Sequence, residues 1–385
     1  MPSAALARYQ EAFAEALGVR HASGFWKGRV ALYAILKALG IREGDEVVLP
    51  GYTCVMAVNP ITYLGATPVF VDIEPATFNI DPERIERHIT PRTRLIIVQH
   101  TYGYPADLDA VQDISARKGI PFIEDCCLSL GSRHRGRLTG TLGLAAYFSF
   151  QWNKPYTSGL GGMAVTSDEQ LAGRIRALVD REVLPPGRRE VAMLRAQLAV
   201  YRAAIYPRTT ALAQNTFRWL TSMGLVVGSS DLTEFLPQMP GGFFKGMSDL
   251  QARVGLRQLR RLDAIIAHRR RMALCYDRLL AERGWPVVRP PDHVQPVLVR
   301  YPVRVADKPR ALATAARHFI ELGSWFECPL HPIETPMEAY GYRQGMCPVA
   351  ERACRETVNL PLHPRTSEST ARRSVEFVHA IGPAA

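Results

Sequence analysis

The sequence predicts an α/β fold with a mostly parallel central sheet flanked by helices, followed by a smaller C-terminal α+β domain. Strand-like runs rich in Val, Ile and Phe alternate with amphipathic helical segments between residues 28 and 180. This alternation is typical of parallel sheets covered by helices. The chain has 385 residues, more than one ordinary core holds, so we expect two domains.

The alternating region defines the elements of the large domain in order. Apolar side chains spaced three and four residues apart predict helices, and short β-branched runs predict strands. The predicted helices are 30–39, 54–64 and 108–118, and the predicted strands are 46–50, 68–72, 95–99, 121–125, 145–150 and 162–166.

We place the domain boundary near residue 250. Residues 1–250 would form the large domain, with a helical insertion at 183–240 that contains the stretches 193–206 and 216–225. Residues 251–385 would form the small domain. The remaining predicted elements are a long bridging helix at 248–274, a strand at 297–305 and a helix at 308–322.

Composition and charge exclude several classes of protein. Hydrophobic residues make up 47% and charged residues 22% of the chain, as in soluble globular proteins. No apolar run approaches the ~18 residues of a spanning helix, and no signal peptide is recognisable, so we expect a cytoplasmic protein. The net charge of +11 suits anionic ligands such as phosphates and nucleotides.

Neither metal nor nucleic acid is an expected ligand. The seven cysteines include no C-x-x-C pair, which makes a zinc site or a disulfide framework an unfavoured reading. The basic run His268–Arg271 lies within a helical pattern, so it predicts a solvated helix face. No zinc-finger, RRM or helix-turn-helix signature accompanies it.

Three polar residues near strand ends could together hold pyridoxal 5'-phosphate (PLP). Asp125 and Ser149 end two predicted strands, and Lys154 follows before the Gly-rich turn 158–162. In parallel sheets, ligands lie beyond the carboxyl ends of the strands. A lysine can hold the PLP aldehyde as a Schiff base, a carboxylate can keep the pyridine nitrogen protonated, and a hydroxyl can bind the phosphate.

Two further segments are candidates for ligand contact. Gly28, Arg29 and Val30 open the first predicted helix, where free amides could bind a phosphate, although a simple capping glycine is the alternative. His100 and Tyr102 follow the strand 95–99 and could contact the substrate. A structural histidine bonded to its own loop is the alternative for His100.

The chain resembles the DegT/StrS family of PLP-dependent sugar aminotransferases, of fold type I, from about Gly28 to Pro364. The residues that carry the resemblance are Phe122–Asp125, Tyr147–Phe150 with Lys154, Gly161–Gly162, Gly44–Val47, Gly65–Asp72, Asn79–Pro82, Met247–Gln251 and Leu360–Pro361.

The resemblance implies a role for each residue of the predicted site. Lys154 would be the Schiff-base lysine and would carry the proton at the substrate carbon. Asp125 would hold the ring nitrogen, and Ser149 would hold the phosphate together with the backbone of 28–30. It further implies a homodimer that transfers an amino group, from L-glutamate, to a keto sugar that is nucleotide-linked, or to a related polar ketone.

Several positions depart from the family pattern. Arg29 replaces a Thr or Ser, Cys54 replaces an aromatic residue that stacks on the ring, and Leu128 replaces a Gln or His. We still expect these three side chains at the cofactor. Leu160 replaces a Glu, and the segment 244–246 replaces Asn-x-Arg. Lys245 could restore a cation from the second subunit, and His331 is a further substrate candidate.

Two other functions remain open at this point. The first is a PLP-dependent lyase, dehydratase or replacement enzyme that keeps the lysine without the amino-donor step. The second is a catalytically silent binding or regulatory protein. The Arg-rich segment 183–227 predicts a lid or a dimer arm, and peripheral contact with a membrane surface is the alternative.

Overall fold

The fold is built on a seven-stranded sheet. The computed structural model describes residues 3–204 and 232–384. In chain order the strands are β1 (His21–Phe25), β2 (Glu46–Pro50), β3 (Thr53–Cys54), β4 (Thr67–Val71), β5 (Thr93–Gln99), β6 (Phe122–Asp125), β7 (Arg133–His134), β8 (Arg137–Leu138), β9 (Ala145–Ser149), β10 (Gly162–Thr166), β11 (Val294–Gln295), β12 (Tyr301–Arg304), β13 (Leu330–His331) and β14 (Thr357–Leu360).

The order in the large sheet is β1-β10-β9-β6-β5-β2-β4. Strands β9, β6, β5, β2 and β4 run parallel. Strand β10 pairs antiparallel with β9, and β1 pairs antiparallel with β10. The predicted α/β class with a mostly parallel sheet is confirmed. Because the parallel strands share one direction, the ends of β6 and β9 open at the same edge.

Helices cover the sheet and build the C-terminal part. They are α1 (Ala4–Leu17), α2 (Gly28–Leu39), α3 (Val55–Thr62), α4 (Pro82–Ile85), α5 (Leu108–Lys118), α6 (Glu169–Glu182), α7 (Arg188–Ala204), α8 (Asp249–Leu259), α9 (Leu262–Ala281), α10 (Lys308–Arg317), α11 (Pro348–Glu356) and α12 (Glu368–Ile381). Short 3₁₀ turns lie at Glu86–His88, Thr101–Gly103, Leu232–Phe235 and Met337–Tyr340.

Local sequence signals explain where helix α5 begins and ends. The Asp107 side chain accepts a hydrogen bond from the amide of Ala110, which caps the first turn. Gly119 ends the helix with φ 67°, a conformation that glycine adopts without strain. Leu108, Val111 and Ile114 face the core, as the periodicity predicts.

The prediction of a single helix at 248–274 is wrong. The segment forms α8 and α9, because Arg261 leaves helical geometry at φ −106° and ψ 4°. The apolar periodicity continues across the break, since Leu256, Leu259 and Leu262 all pack on the same core. Sequence spacing alone therefore did not reveal the change of direction.

The strand predicted at 297–305 is too long. Only β12 pairs, with β14, and Val297–Arg300 forms an irregular segment before it. The carbonyls of Leu298 and Val299 instead accept hydrogen bonds from a side chain, that of Arg269. The run of Val and Leu reflects burial of this segment rather than sheet pairing.

The C-terminal residues contribute to two cores. One core joins α9, β12, β14 and α12. The other joins the sheet to residues of 326–354 such as Leu330 and Tyr342. This second core places the segment between α10 and α11 beside the large sheet. The boundary near residue 250 stays a prediction.

Two observations concern the insertion. Helix α7 corresponds to the predicted stretch 193–206, and the predicted stretch 216–225 lies outside the described residues. Within residues 3–204 and 232–384, no helix combines the length and apolar character needed to cross a bilayer.

Candidate active site

Asp125 ends β6 as a buried carboxylate with two donors of its own chain. The amide of Cys127 donates to Oδ1 at 2.9 Å, and the Tyr147 hydroxyl donates to Oδ2. Burial raises the pKa of Tyr147, and the Asp125 charge raises it further, so the phenol keeps its proton. Each carboxylate oxygen has two lone pairs, which leaves capacity for a cationic ring N–H.

Ser149 and the start of helix α2 touch at the end of β9. A Cβ on Gly28 would lie 2.8 Å from the Ser149 Cβ, and a Cβ on Gly162 would lie 2.5 Å from the Gly28 Cα. Only glycines allow this approach. Lys27, the residue before the helix, provides no side-chain cap. The arrangement brings a serine hydroxyl to a helix N-terminus, which is a favourable anion site.

Arg29 and Val30 contribute less to this anion site than the sequence predicted. The amide of Val30 donates to the Lys27 carbonyl at 3.1 Å. The buried Arg29 guanidinium lies 2.9 Å from a Glu234 carboxylate oxygen, and Lys27 Nζ lies 3.0 Å from the same oxygen. Arg29 therefore belongs to an ion network that ties α2 to residue 234.

Lys154 differs from the other lysines in its surroundings. The chain has six lysines, and four of them pair with carboxylates. The fifth, Lys308, donates to three backbone carbonyls. Lys154 Nζ lies 5.2 Å from the centre of the Trp325 ring, and no carboxylate in the described part of the chain pairs with it.

If a lowered pKa were the only criterion for the catalytic lysine, Lys308 would be chosen instead of Lys154. Burial lowers the pKa of Lys308 to about 8, the kind of shift that often marks an active site. However, its ammonium is engaged by the carbonyls of Ser324, Phe326 and Cys354 at 2.7–3.0 Å. Lys308 thereby holds both sides of Trp325, and geometry favours a structural role for it.

Trp325 forms a wall of the pocket that the sequence analysis missed. The Arg300 guanidinium lies 4.5 Å from the centre of its ring, and the Trp325 amide donates to Asn359 Oδ1 at 2.9 Å. Cations stack on aromatic faces with a stabilisation of about 0.5–2 kcal/mol. Its contact with Lys154 could not be predicted from the sequence, because the two residues lie more than 170 positions apart.

Cys54 and His331 meet through strand pairing. Strand β13 runs parallel to β3, with His331 opposite Cys54. Burial raises the pKa of the Cys54 thiol, while Lys154 and Arg29 oppose that rise and Asp125 adds to it. The Cys54 thiol thus lies within electrostatic reach of Lys154, Arg29 and Asp125.

The first helix of the insertion covers the Gly-rich turn. Leu194 and Leu198 of α7 pack with Trp26 and Leu160. The Tyr201 ring lies 4.9 Å from that of Trp152, two residues before Lys154. Helix α7 therefore packs on this chain beside the Lys154 segment, and the lid or arm interpretation of the insertion stays a prediction.

Two predicted substrate residues have structural partners within the chain. His100 is fully buried, with Nε2 donating to Glu124 at 3.0 Å and Nδ1 accepting from the Ala106 amide at 3.1 Å. The structural alternative for His100 is therefore favoured. Buried Tyr102 donates to the Trp325 carbonyl and contacts the Tyr52 hydroxyl at 2.7 Å, so it supports the wall rather than facing the pocket.

Leu128 and Lys245 also have defined surroundings. Leu128 is buried three residues after Asp125 and offers no polar group there. Lys245 Nζ pairs with Glu190 of α7 at 2.7 Å, and its carbonyl accepts from the Trp26 amide. Its charge is therefore neutralised within the chain, which does not favour a free cation for a second subunit.

A cluster with metal-binding residue types lies elsewhere, at Asp109, His134 and His293. His134 Nε2 lies 3.0 Å from Asp109, and Arg135 donates to both oxygens of that carboxylate. The guanidinium lowers the pKa of Asp109 to about 2. Its fixed positive charge opposes a divalent cation, so an ion-pair network explains the cluster.

The residues at the sheet edge fit PLP. A buried carboxylate retains lone pairs for a ring N–H, and a serine meets a helix N-terminus where no Cβ has room. Lys154, which pairs with no carboxylate in the part of the chain that the structure describes, lies beside Trp325. These are the three kinds of side-chain group that PLP requires. The fold and this site together define a PLP-dependent enzyme of fold type I.

Comparison with known proteins gives the family. The model of the DegT/DnrJ/EryC1/StrS aminotransferase family matches residues 4–193 and 204–379. The chain belongs to this family and is a PLP-dependent aminotransferase. It is similar to GDP-perosamine synthase from Caulobacter vibrioides, with 32% identity covering 98% of this chain and 90% of that protein.

Two further similar proteins agree with this family assignment. L-Glutamine:2-deoxy-scyllo-inosose aminotransferase from Streptoalloteichus tenebrarius is 35% identical over 72% of this chain and 57% of its own length. The crystal structure of S. venezuelae DesV in complex with a ketimine intermediate superposes with a TM-score of 0.76 and 27% identity. That superposition covers 99% of this chain and 90% of DesV.

Loss of the Ser149 hydroxyl should weaken PLP binding. We expect the Ser149→Ala variant to raise the PLP dissociation constant about tenfold to a hundredfold, because a hydrogen bond to a charged group contributes about 1.5–3 kcal/mol. Equilibrium dialysis measures this. Ser115→Ala, which removes a hydroxyl bonded to the Ile120 carbonyl on α5, is the control. Equal dissociation constants for the two variants would contradict the assignment.

His331 should make the protein sensitive to acid. Burial and then the Lys308 charge lower the pKa of His331 to about 4, whereas unfolded histidine titrates near 6.5. The unfolded state therefore binds the proton first, and stability falls as pH drops from about 6.5 to about 4. The shift corresponds to about 3 kcal/mol.

Thermal melts at several pH values test this expectation. The His331→Asn variant should lose less stability than the parent between pH 6.5 and pH 4. His318→Asn, at an exposed position, should behave as the parent does. Parallel stability curves for the parent and His331→Asn would show that His331 is not the responsible group.

Proposed function

We propose that the chain transfers an amino group from L-glutamate to a keto sugar, with Lys154 as the catalytic residue. The observation that carries the proposal is the environment of Lys154, which pairs neither with a carboxylate nor with backbone carbonyls in the described residues and lies within electrostatic reach of the same thiol, Cys54, as Asp125. Bound PLP would supply an electron sink for the carbon that gains or loses the amino group.

Lys154 would act as the general acid and base. Its amine would hold the cofactor between turnovers and, once displaced by the amino donor, would carry a proton to and from the reacting carbon. A carboxylate partner favours the protonated form of an amine, so it suits the task that no carboxylate pairs with Lys154 among residues 3–204 and 232–384. The Trp325 ring would hold the amine in place.

Asp125 would keep the ring nitrogen charged. Its two intrachain donors fix the orientation of the carboxylate, and neutral Tyr147 adds no competing charge. Ser149 and the α2 backbone would bind the phosphate, with Gly28 providing the close approach. Cys54 and Leu128 would contact the cofactor as apolar neighbours in place of the family's aromatic and amide groups.

The sugar acceptor is supported by the relatives and by the pocket. The matched proteins are named for perosamine and scyllo-inosose chemistry, and polar keto compounds are the shared feature of those names. Arg300 beside Trp325 places a cation at the wall. A guanidinium there could bind an anionic substituent such as the phosphate of a nucleotide-linked sugar.

We also infer that the protein acts as a homodimer, as the family resemblance implies, in the cytoplasm. Analytical ultracentrifugation of the holoenzyme tests the assembly. A monomer that retains full turnover at the lowest active concentration would contradict the homodimer proposal.

Two half-reactions test the proposed function. L-glutamate, and separately L-glutamine, should convert the bound cofactor to its pyridoxamine form in a single turnover, followed by absorbance. A nucleotide-linked keto sugar should then restore the PLP spectrum, whereas the matching sugar without a ketone should not. Elimination products without net amino transfer would instead favour a lyase, and a cofactor unresponsive to every donor would favour a silent homologue.

A further inference from the structure

Arg269 is a buried cation between the lysine segment and the C-terminal part of the chain. Its Nη1 donates to the carbonyls of Leu298, Val299 and Leu362 at 3.2, 3.0 and 2.6 Å. Its Nη2 donates to the carbonyl of Pro155 at 3.3 Å. No carboxylate pairs with it within residues 3–204 and 232–384, so all the acceptors found are neutral backbone groups.

The burial of the Arg269 charge is unfavourable for the stability of the fold, and a functional role would explain its presence. The side chain is 3% exposed, and burial, followed by the charge of Arg300, lowers the pKa of Arg269 to about 10. A buried charge without a counter-ion costs free energy, and apolar packing is often the more stable alternative. A guanidinium nevertheless has one property that apolar groups lack, since its fork of donors can bind several segments at fixed angles.

Two of the segments that Arg269 joins lead to the Trp325 ring. Pro155 directly follows Lys154, and Val299 directly precedes Arg300. Lys154 and Arg300 both contact the ring of Trp325, at 5.2 and 4.5 Å from its centre. One guanidinium therefore fixes the backbone positions of both cations that meet at this ring.

We propose that Arg269 is a positioning residue that holds the Lys154 segment in register with the Arg300 and Trp325 wall. It acts through backbone carbonyls and does not touch the reacting atoms. The inference rests on the proposed role of Lys154. Misplacing a catalytic group by about 1 Å can cost about 10²-fold in rate, so a loosened Pro155 would slow the chemistry while leaving the fold intact.

The test compares Arg269→Lys with Tyr276→Phe. Lysine retains a buried cation for the carbonyls of residues 298, 299 and 362 but lacks the second arm that reaches Pro155. Tyr276 is also buried on α9, and its hydroxyl donates to the Pro361 carbonyl at 2.8 Å without touching the Lys154 segment. The control therefore removes a comparable buried hydrogen bond between the same helix and another segment. Arg269→Gln serves as the second variant.

Hydrogen exchange on the chain without PLP is the first readout. The amides of Lys154 and Ser158 donate to the carbonyls of Gln151 and Phe150, so they report on local opening. In Arg269→Lys they should exchange about fivefold to tenfold faster, as loss of a hydrogen bond of about 1 kcal/mol implies. In Tyr276→Phe they should exchange as in the parent.

The rate of the glutamate half-reaction with bound PLP is the second readout. We expect about a 10²-fold slower rate for Arg269→Lys at saturating donor, with the visible circular dichroism of PLP altered, and parental behaviour for Tyr276→Phe. Unchanged exchange at residues 154 and 158, or equal half-reaction rates for the two variants, would overturn the proposal. If the parent does not react with any donor, the exchange measurement still decides the role of Arg269.

Discussion

The Lys154→Ala variant should lose both the reducible link to PLP and turnover. Without the amine, borohydride should fix no cofactor on the chain, and the proton at the reacting carbon should have no carrier. General acid–base and covalent catalysis together predict a loss of at least about 10³-fold in turnover. PLP should still bind non-covalently, because the phosphate and ring contacts remain, and dialysis should detect it.

Lys118→Ala is the matched control for this variant. Lys118 is exposed at the end of α5, where it pairs with Glu86 at 3.5 Å. Its removal changes net charge by the same amount and should leave turnover and borohydride fixation at the parental level. A Lys154→Ala protein that still retains fixed cofactor would show that another lysine performs the chemistry.

The Asp125→Asn variant should show the second largest effect. Asparagine preserves the size of the side chain and one acceptor for Cys127, but it removes the charge that favours a protonated ring nitrogen. Preorganised electrostatic groups of this kind contribute about 10²–10³ in rate. We expect a loss of that size in the glutamate half-reaction, with PLP still bound and still fixed on Lys154 by borohydride.

Tyr147→Phe distinguishes charge from orientation at Asp125. It removes one donor to the carboxylate while leaving the charge, so its half-reaction should be slowed much less than that of Asp125→Asn. A neutral hydrogen bond contributes about 1 kcal/mol, which corresponds to roughly fivefold. Equal rates for Asp125→Asn and the parent would contradict the assigned role of Asp125.

Residues fixed by local chain geometry were predictable from the sequence. Asp125, Ser149 and the start of α2 lie at strand or helix ends that periodicity and glycine placement define, and the structure brings them to one edge. The class of fold followed from the same alternation. Their convergence needed only the rule that parallel strands end at a common edge.

Residues whose surroundings depend on distant segments were not predictable. Arg300 lies in the segment before β12 and Trp325 in the loop before β13, and Arg269 of α9 reaches the Pro155 carbonyl from a distant part of the chain. The identity of Glu234 as the partner of Arg29 likewise depends on tertiary packing. His100 shows the converse, since a strand-end position suggested substrate contact while Glu124 already satisfies its ring.

The break between α8 and α9 illustrates the same limit. Apolar spacing reports which side chains are buried, and the leucines on both sides of the break, Leu256, Leu259 and Leu262, pack on one core. The pattern therefore continues where the backbone turns. Only the φ and ψ of Arg261 mark the change.

Peptide mapping after borohydride reduction tests the central claim most directly. The six lysines are spread along the chain at 27, 37, 118, 154, 245 and 308, so mass spectrometry can assign the fixed cofactor to one of them. We predict a single modified peptide that contains Lys154. Fixation on Lys308, whose pKa is lowered to about 8, or on any other lysine, or on none, would contradict the account.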